Sequence, residues 1–234
     1  MFSPTDTIVR FQSRDKSSGN SSNYYATTHT IKGTWQLMSV LMPNTAYNVR
    51  AGINDTVTLT VGATTDTVTL VAGYYTATTL AAEAATRINA GSISSITCAY
   101  STLTGKISLT HASNITVTTA PALGWDTVTA TAATTVTADN VLVLRTTDVY
   151  NVEIDQSEGQ NRLGTGAWPR PYAFMVEVNE NSGEFIHYES SSSELKQLIH
   201  FPNDMSTLHV TLRDDAGNAI SLNGADWSFC LRRV

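Results

Sequence analysis

The sequence predicts a mainly β protein in which a β-sandwich is interrupted by a small α+β module. Threonine is unusually frequent, with 36 among 234 residues, and β-branched residues suit a pleated sheet. Apolar and polar residues alternate with a period of two in many short segments, as they do in half-buried strands. Residues 56–137 hold only five charged residues but 24 of the threonines, which indicates a separate central module.

The domain boundaries are predicted from this change in charge density. Residues 1–55 and 139–234 are expected to form the two parts of one sandwich, and residues 56–138 the inserted module. The two flanks together supply about 150 residues, which is enough for an eight-stranded domain.

The module is predicted to begin with a β-hairpin. Thr56–Val61 and Thr67–Val71 alternate threonine with Val or Leu, which predicts strands with one apolar and one wet face. Gly62–Asp66 is short enough to be the loop between them.

A helix is predicted next, over Thr78–Asn89, with Thr76 as its N-cap and Gly91 as its stop. Its apolar face would consist of Leu80, Ala81, Ala84, Ala85 and Ile88. Further strands are predicted at Ile96–Ser101, Lys106–Thr110 and Ile115–Thr118. One helix would then cover the apolar face of a small antiparallel sheet.

The flanks contain about eight predicted strands, which matches an eight-stranded sandwich, and a single jelly roll is the commonest candidate. In the last strand, Trp227, Phe229 and Leu231 share one face. The eight strands are Thr7–Phe11, Trp35–Val40, Val141–Thr146, Tyr150–Ile154, Phe174–Val178, Glu184–Tyr188, Thr207–Leu212 and Trp227–Leu231.

Catalytic and cofactor motifs are missing from the sequence. It has no phosphate-binding glycine loop, no HExxH and no GxSxG. No two of the five histidines have i, i+2 or i, i+4 spacing, so no metal site is expected. His209 alternates with Leu208 and Val210, which predicts a solvent-facing position. We therefore expect neither an enzyme nor a cofactor.

Two groups of carboxylates have a plainer interpretation than catalysis. Asp214 and Asp215 precede Ala-Gly-Asn, a sequence typical of a turn, and a turn is favoured over a cation site. Glu153, Asp155 and Glu158 are interpreted as a solvated edge, because nothing indicates the cleft that a glycosidase carboxylate pair requires.

Charge and cysteine content limit the partners. The formal net charge is -6. The only adjacent basic pair, Arg232 and Arg233, is interpreted as a solvated strand end. The sequence therefore contains no nucleic-acid motif. Cys98 and Cys230 are expected to be thiols, as in a reducing compartment. No apolar run is long enough for a membrane span, and the amino terminus does not resemble a secretion signal.

One loop is a candidate contact or ligand site. It contains an aromatic residue at each end and two prolines, and its residues are Trp168, Pro169, Arg170, Pro171 and Tyr172. Aromatic rings of this kind stack on sugars, but the prolines also suit a subunit contact, because a preset conformation lowers the entropy cost of binding. Subunit contact or plain packing is favoured over sugar binding.

Several segments, in this order, resemble small capsid proteins of virophages, Polinton-like viruses and related large DNA viruses. They are Gln12–Tyr24, Ser39–Val49, Val71–Leu80, Ala99–Ile107, Leu123–Trp125, Leu208–Asn218 and Phe229–Leu231. The resemblance covers most of the chain. Trp125 stands where the family usually has Phe, and Ser157–Tyr172 matches no family segment.

This resemblance implies a structural virion protein, the penton (vertex) subunit of an icosahedral double-stranded DNA virus. It implies a homopentamer beside the major capsid protein, in a capsid whose parts are made in the host cytoplasm or a virus factory. A double jelly-roll major capsid protein would be about twice as long as these 234 residues. A minor capsid protein and a carbohydrate-binding or adhesin-like surface module are the alternatives.

Overall fold

The computed structural model describes residues 7–126, 133–155, 157–159, 172–190 and 197–234. The chain divides into two compact units, one formed by residues 1–46 and 147–234 and the other by residues 47–146. The second unit extends beyond the predicted limits of 56 and 138 because neighbouring residues bond to it. The Asn48 side-chain amide donates to Tyr75 O at 2.7 Å and to Leu144 O at 3.3 Å. The density of charged residues, from which the limits were predicted, contains no information about such bonds.

Fourteen strands and one α-helix are present in the described residues. The first unit begins with β1 (Ile8–Gln12), β2 (Ser18–Asn20) and β3 (Asn23–Pro43). The second unit contains β4 (Thr56–Val61), β5 (Thr64–Thr69), α1 (Ala77–Asn89), β6 (Thr97–Ser101), β7 (Lys106–Thr119) and β8 (Ala133–Thr137). The first unit then continues with β9 (Val149–Ile154), β10 (Glu158–Gly159), β11 (Phe174–Glu177), β12 (Phe185–Glu189), β13 (Leu198–Arg213) and β14 (Ser228–Arg233).

The first unit is an antiparallel sandwich whose layers share two long strands. Its strand order is β1-β14-β3-β13-β9-β11, with β2 and β12 also paired to β3 and β10 to β13. The first half of β3 pairs with the second half of β13, which in turn pairs with β9. The second half of β3 pairs with β14 and β12. Register shifts on either side of Met205 interrupt β13. Bulges of this kind let one strand pass from one layer into the other.

Aromatic rings fill the space between the two layers. Phe229 of β14 stacks on Phe11 with ring centroids 4.9 Å apart and meets Phe174 of β11 at 5.2 Å. β14 and β11 belong to no common ladder, so this second contact joins opposite layers. Trp227 and Leu231 are buried with Phe229, which confirms the predicted apolar face of the last strand.

The second unit is a five-stranded antiparallel sheet with α1 on one face. The strand order is β5-β4-β7-β6, and β8 pairs with β7. Thr76 caps the helix, since its hydroxyl accepts a bond from Thr79 N–H and the Thr79 hydroxyl accepts one from Thr76 N–H. The helix buries Leu80, Ala81, Ala84 and Ile88. The predicted helix and its apolar face are confirmed, except that Ala85 is only half-buried.

One strand prediction in this unit is wrong, and two other predicted strands are parts of a single strand. Residues 141–146 alternate apolar and polar character but join no ladder, with Val141 and Val143 exposed and Leu142 packed against the core. The predicted strands Lys106–Thr110 and Ile115–Thr118 are one continuous strand, β7. The alternation of apolar and polar residues indicates which side chains are buried. It does not indicate whether a neighbouring strand supplies hydrogen-bond partners for the backbone.

Candidate functional site

The described residues contain no cluster of three or more His, Cys, Asp or Glu side chains that could hold a metal ion. No helix in the described part of the chain has the length and apolar character needed to cross a membrane. Cys98 and Cys230 are free. Burial raises the pKa of Cys98 to about 12, so its thiol stays protonated and is a poor nucleophile at neutral pH.

The predicted contact loop is described only at its end. Trp168, Pro169, Arg170 and Pro171 lie outside the described residues. Tyr172 is 4% exposed. Burial raises its pKa, the negative charge of Glu153 adds to the effect, and the positive charge of Arg213 opposes it. The Tyr172 ring is therefore largely covered within the chain.

The predicted solvated edge at Glu153 is wrong. Glu153 is 5% exposed, and Arg213 Nε donates to its Oε2 at 2.6 Å. Arg213 Nη1 also donates to Gly217 O at 3.1 Å. The neighbouring strand β13 supplies the arginine, 60 residues further along the chain, so the sequence pattern around Glu153 could not reveal it.

The predicted turn at Asp214 is confirmed. Asp214 Oδ1 accepts a bond from Asn218 N–H at 2.6 Å, and its Oδ2 accepts one from Asn218 Nδ2 at 3.0 Å. Gly217 N–H donates to Asp214 O at 3.0 Å. The Asp214 carboxylate thus closes the turn between β13 and the segment leading to β14.

His209 lies on the outer face of β13, as predicted, but its side chain is only 18% exposed. Its Nδ1 pairs with the carboxylate of Asp155, and its Nε2 lies 2.7 Å from Asn23 Oδ1. The ring also stacks on Tyr25, with centroids 4.4 Å apart. Three residues from two chain segments therefore fix a histidine that the sequence places in solvent.

A groove of about 380 Å³ lies beside two edge strands of the first unit. Among the described residues, β11 pairs only with β9, and β12 pairs only with β3. The buried side chains Val176 and Ile186 lie in the groove together with the acidic Glu177 and Glu189. The remaining described lining residues are Met175, Asn179, His187, Tyr188 and Gln197.

The sheet face opposite α1 is covered by hydroxyl groups. The hydroxyls of Thr58 and Thr67 lie 3.0 Å apart across β4 and β5, and those of Thr110 and Thr135 lie 3.1 Å apart across β7 and β8. In the described strands, the outward positions carry one charged side chain, Lys106 at the start of β7. The wet face predicted from the threonine alternation is therefore real, and it is almost free of charge.

No protein-family model matches the chain. No curated protein matches it either. Among solved structures, the mavirus penton protein is 10% identical to this chain, with a TM-score of 0.55 over 97% of this chain and 98% of the other. A chain of the Sputnik virophage cryo-EM structure is 10% identical, with a TM-score of 0.44 and 98% of each chain covered.

The similarity to the mavirus protein identifies the fold. It extends over nearly the whole of both chains, so it includes both units. The predicted mainly β fold, a jelly-roll sandwich interrupted by an α+β module, is confirmed. The resemblance to capsid proteins noted in the sequence segments is matched by a shared fold with a penton protein.

Proposed function

We propose that this chain is a structural virion protein, the penton subunit at the vertices of an icosahedral double-stranded DNA virus. The observation that carries the proposal is the fold shared with the mavirus penton protein over 97% of this chain.

The surface properties support an assembling subunit. Protein interfaces are depleted in charged residues at their centres, and this chain has only 15% charged residues. Several large apolar side chains are exposed in the isolated chain, including Leu103 at 94%, Val143 at 75% and Phe185 at 59%. Such side chains are available for burial between subunits.

We infer a homopentamer that contacts the major capsid protein around each vertex, within a virion assembled in the host cytoplasm or a virus factory. The role is structural and not enzymatic. A minor capsid protein is the nearest alternative, because the same fold could occupy another position in the shell.

Locating the chain in a cryo-EM map of its particle tests the proposal directly. We expect density for five copies around each five-fold axis, and a mass of five chains for the purified protein in light scattering at high concentration. Density at another position would assign the chain to a minor capsid role. Absence of the chain from purified particles by mass spectrometry would overturn both assignments.

A further inference from the structure

Among the described residues, one backbone edge of the strand β12 has no strand partner. Its inner edge pairs with β3 in antiparallel register, with Ser190 N–H donating to Met38 O at 2.8 Å just beyond the strand. Backbone groups point alternately to the two sides of a strand. The residues whose N–H and C=O groups face away from β3 are Phe185, His187 and Glu189. An edge of this kind can pair with a further strand.

At the neighbouring edge strand, β11, a side-chain amide of the same chain takes the place of a strand partner. The side-chain amide of Gln197 accepts a bond from Met175 N–H at 2.8 Å and donates one to Met175 O at 3.0 Å. One amide thus satisfies both backbone groups of a residue, as a paired strand does. No equivalent side-chain amide lies on the outer edge of β12 in the described part of the chain.

Charge and shape around β12 specify the partner. Residues 172–190, which supply both edge strands, contain four glutamates and no lysine or arginine. Glu177 and Glu189 line the groove together with the apolar residues Val176 and Ile186. The carboxylate of Glu189 also lies 3.4 Å from His187 Nε2. An extended peptide with alternating basic and apolar side chains would complement both features, since alternate side chains of a strand face opposite sides.

We propose that β12 is a docking site for an extended basic segment of a protein partner, which adds to the sandwich as an antiparallel or parallel strand. Main-chain hydrogen bonds to the outer edge of β12 supply affinity, and the groove selects the side chains. Apolar residues of the segment enter the groove, and its Lys or Arg residues pair with Glu177 and Glu189. This inference does not depend on the proposed penton role.

A fluorescently labelled peptide, Lys-Val-Lys-Val-Lys-Val, tests the proposal by anisotropy with the full-length protein. We expect saturable binding that weakens as salt is added, because exposed ion pairs are screened. The double variant Glu177→Gln/Glu189→Gln should bind about fivefold more weakly, the combined effect of two exposed ion pairs. A Glu-Val-Glu-Val-Glu-Val peptide should not bind.

Two substitutions at one position separate strand addition from simple charge attraction. His187→Pro removes an N–H that faces away from β3, a position where edge strands tolerate proline, so the protein should keep its melting temperature and lose peptide binding. His187→Ala removes the same imidazole, which lies 3.4 Å from Glu189 Oε1, but keeps the N–H, so it should still bind the peptide. Equal binding by these two variants would overturn the proposal, as would failure of the natural chain to bind the basic peptide or equal binding of the acidic one.

Discussion

Arg213 Nε donates to Glu153 Oε2 at 2.6 Å, which joins β13 to β9 through a carboxylate that is almost entirely buried. Removing one partner of a buried pair leaves the other charge without compensation. We expect Arg213→Met to lower the free energy of unfolding by about 3 kcal/mol, measured by urea denaturation.

The exposed pair between Lys32 and Asp204 provides a matched control for this ion pair. Its nitrogen and oxygen lie 3.4 Å apart, with side chains 59% and 66% exposed. Lys32→Met should therefore cost less than about 1 kcal/mol. Equal costs for the two methionine variants would contradict the assignment of Glu153 to a buried, charge-dependent site.

Phe229 joins the two layers of the sandwich through its contacts with Phe11 and Phe174. Truncation leaves a cavity that these rings cannot fill, so Phe229→Ala should destabilise the protein by about 4 kcal/mol. Phe185→Ala removes a ring that is 59% exposed and serves as the control, with little expected change in monomer stability. Thermal unfolding followed by circular dichroism distinguishes the two variants.

Thr76 should contribute measurably to the stability of α1. Its hydroxyl accepts a bond from Thr79 N–H at 3.3 Å, and loss of an N-cap typically costs about 1 kcal/mol. Thr76→Ala should therefore lower the midpoint of chemical denaturation. Thr78→Ala, an exposed position inside the first turn, should leave it unchanged or raise it slightly, since Ala has the higher helix propensity. A similar loss for both variants would argue against the cap.

Cys98 should make the protein less stable in alkaline solution. Burial raises its pKa from 9.0 to about 12, so the unfolded chain releases this proton at a lower pH than the folded chain does. The contribution to stability is complete below pH 9 and declines as the pH rises towards 12. Between pH 8 and pH 10, the Cys98→Ala variant should lose about 1 kcal/mol less unfolding free energy than the natural chain. Parallel pH profiles would contradict this prediction.

Local features of the fold were predictable because short-range patterns determine them. The α1 helix follows from its apolar spacing and from Thr76, and β4 follows from its alternating threonines. The full length of β3 was not predictable. It continues from Asn23 through Gly33, whose φ of +83° is unusual in a strand. Pairing with β13, and with β2 at its start, holds this segment extended.

The candidate sites depend on contacts between residues that are far apart in the sequence. Local sequence patterns do not predict such contacts. Glu153 and Arg213 lie 60 residues apart, and Met175 and Gln197 lie 22 apart. The carboxylate at Glu153 looked solvated because its partner belongs to another strand. The groove beside β12 arises because two edge strands, each with ordinary alternation, come to lie next to each other in the sandwich.

The hydroxyl-covered face of the five-stranded sheet has a consequence for the environments in which the protein can function. Its threonine pairs, such as Thr58 with Thr67, bond through neutral groups, and dissolved ions screen charges but not neutral hydrogen bonds. This face of the second unit therefore keeps its hydration nearly independent of ionic strength.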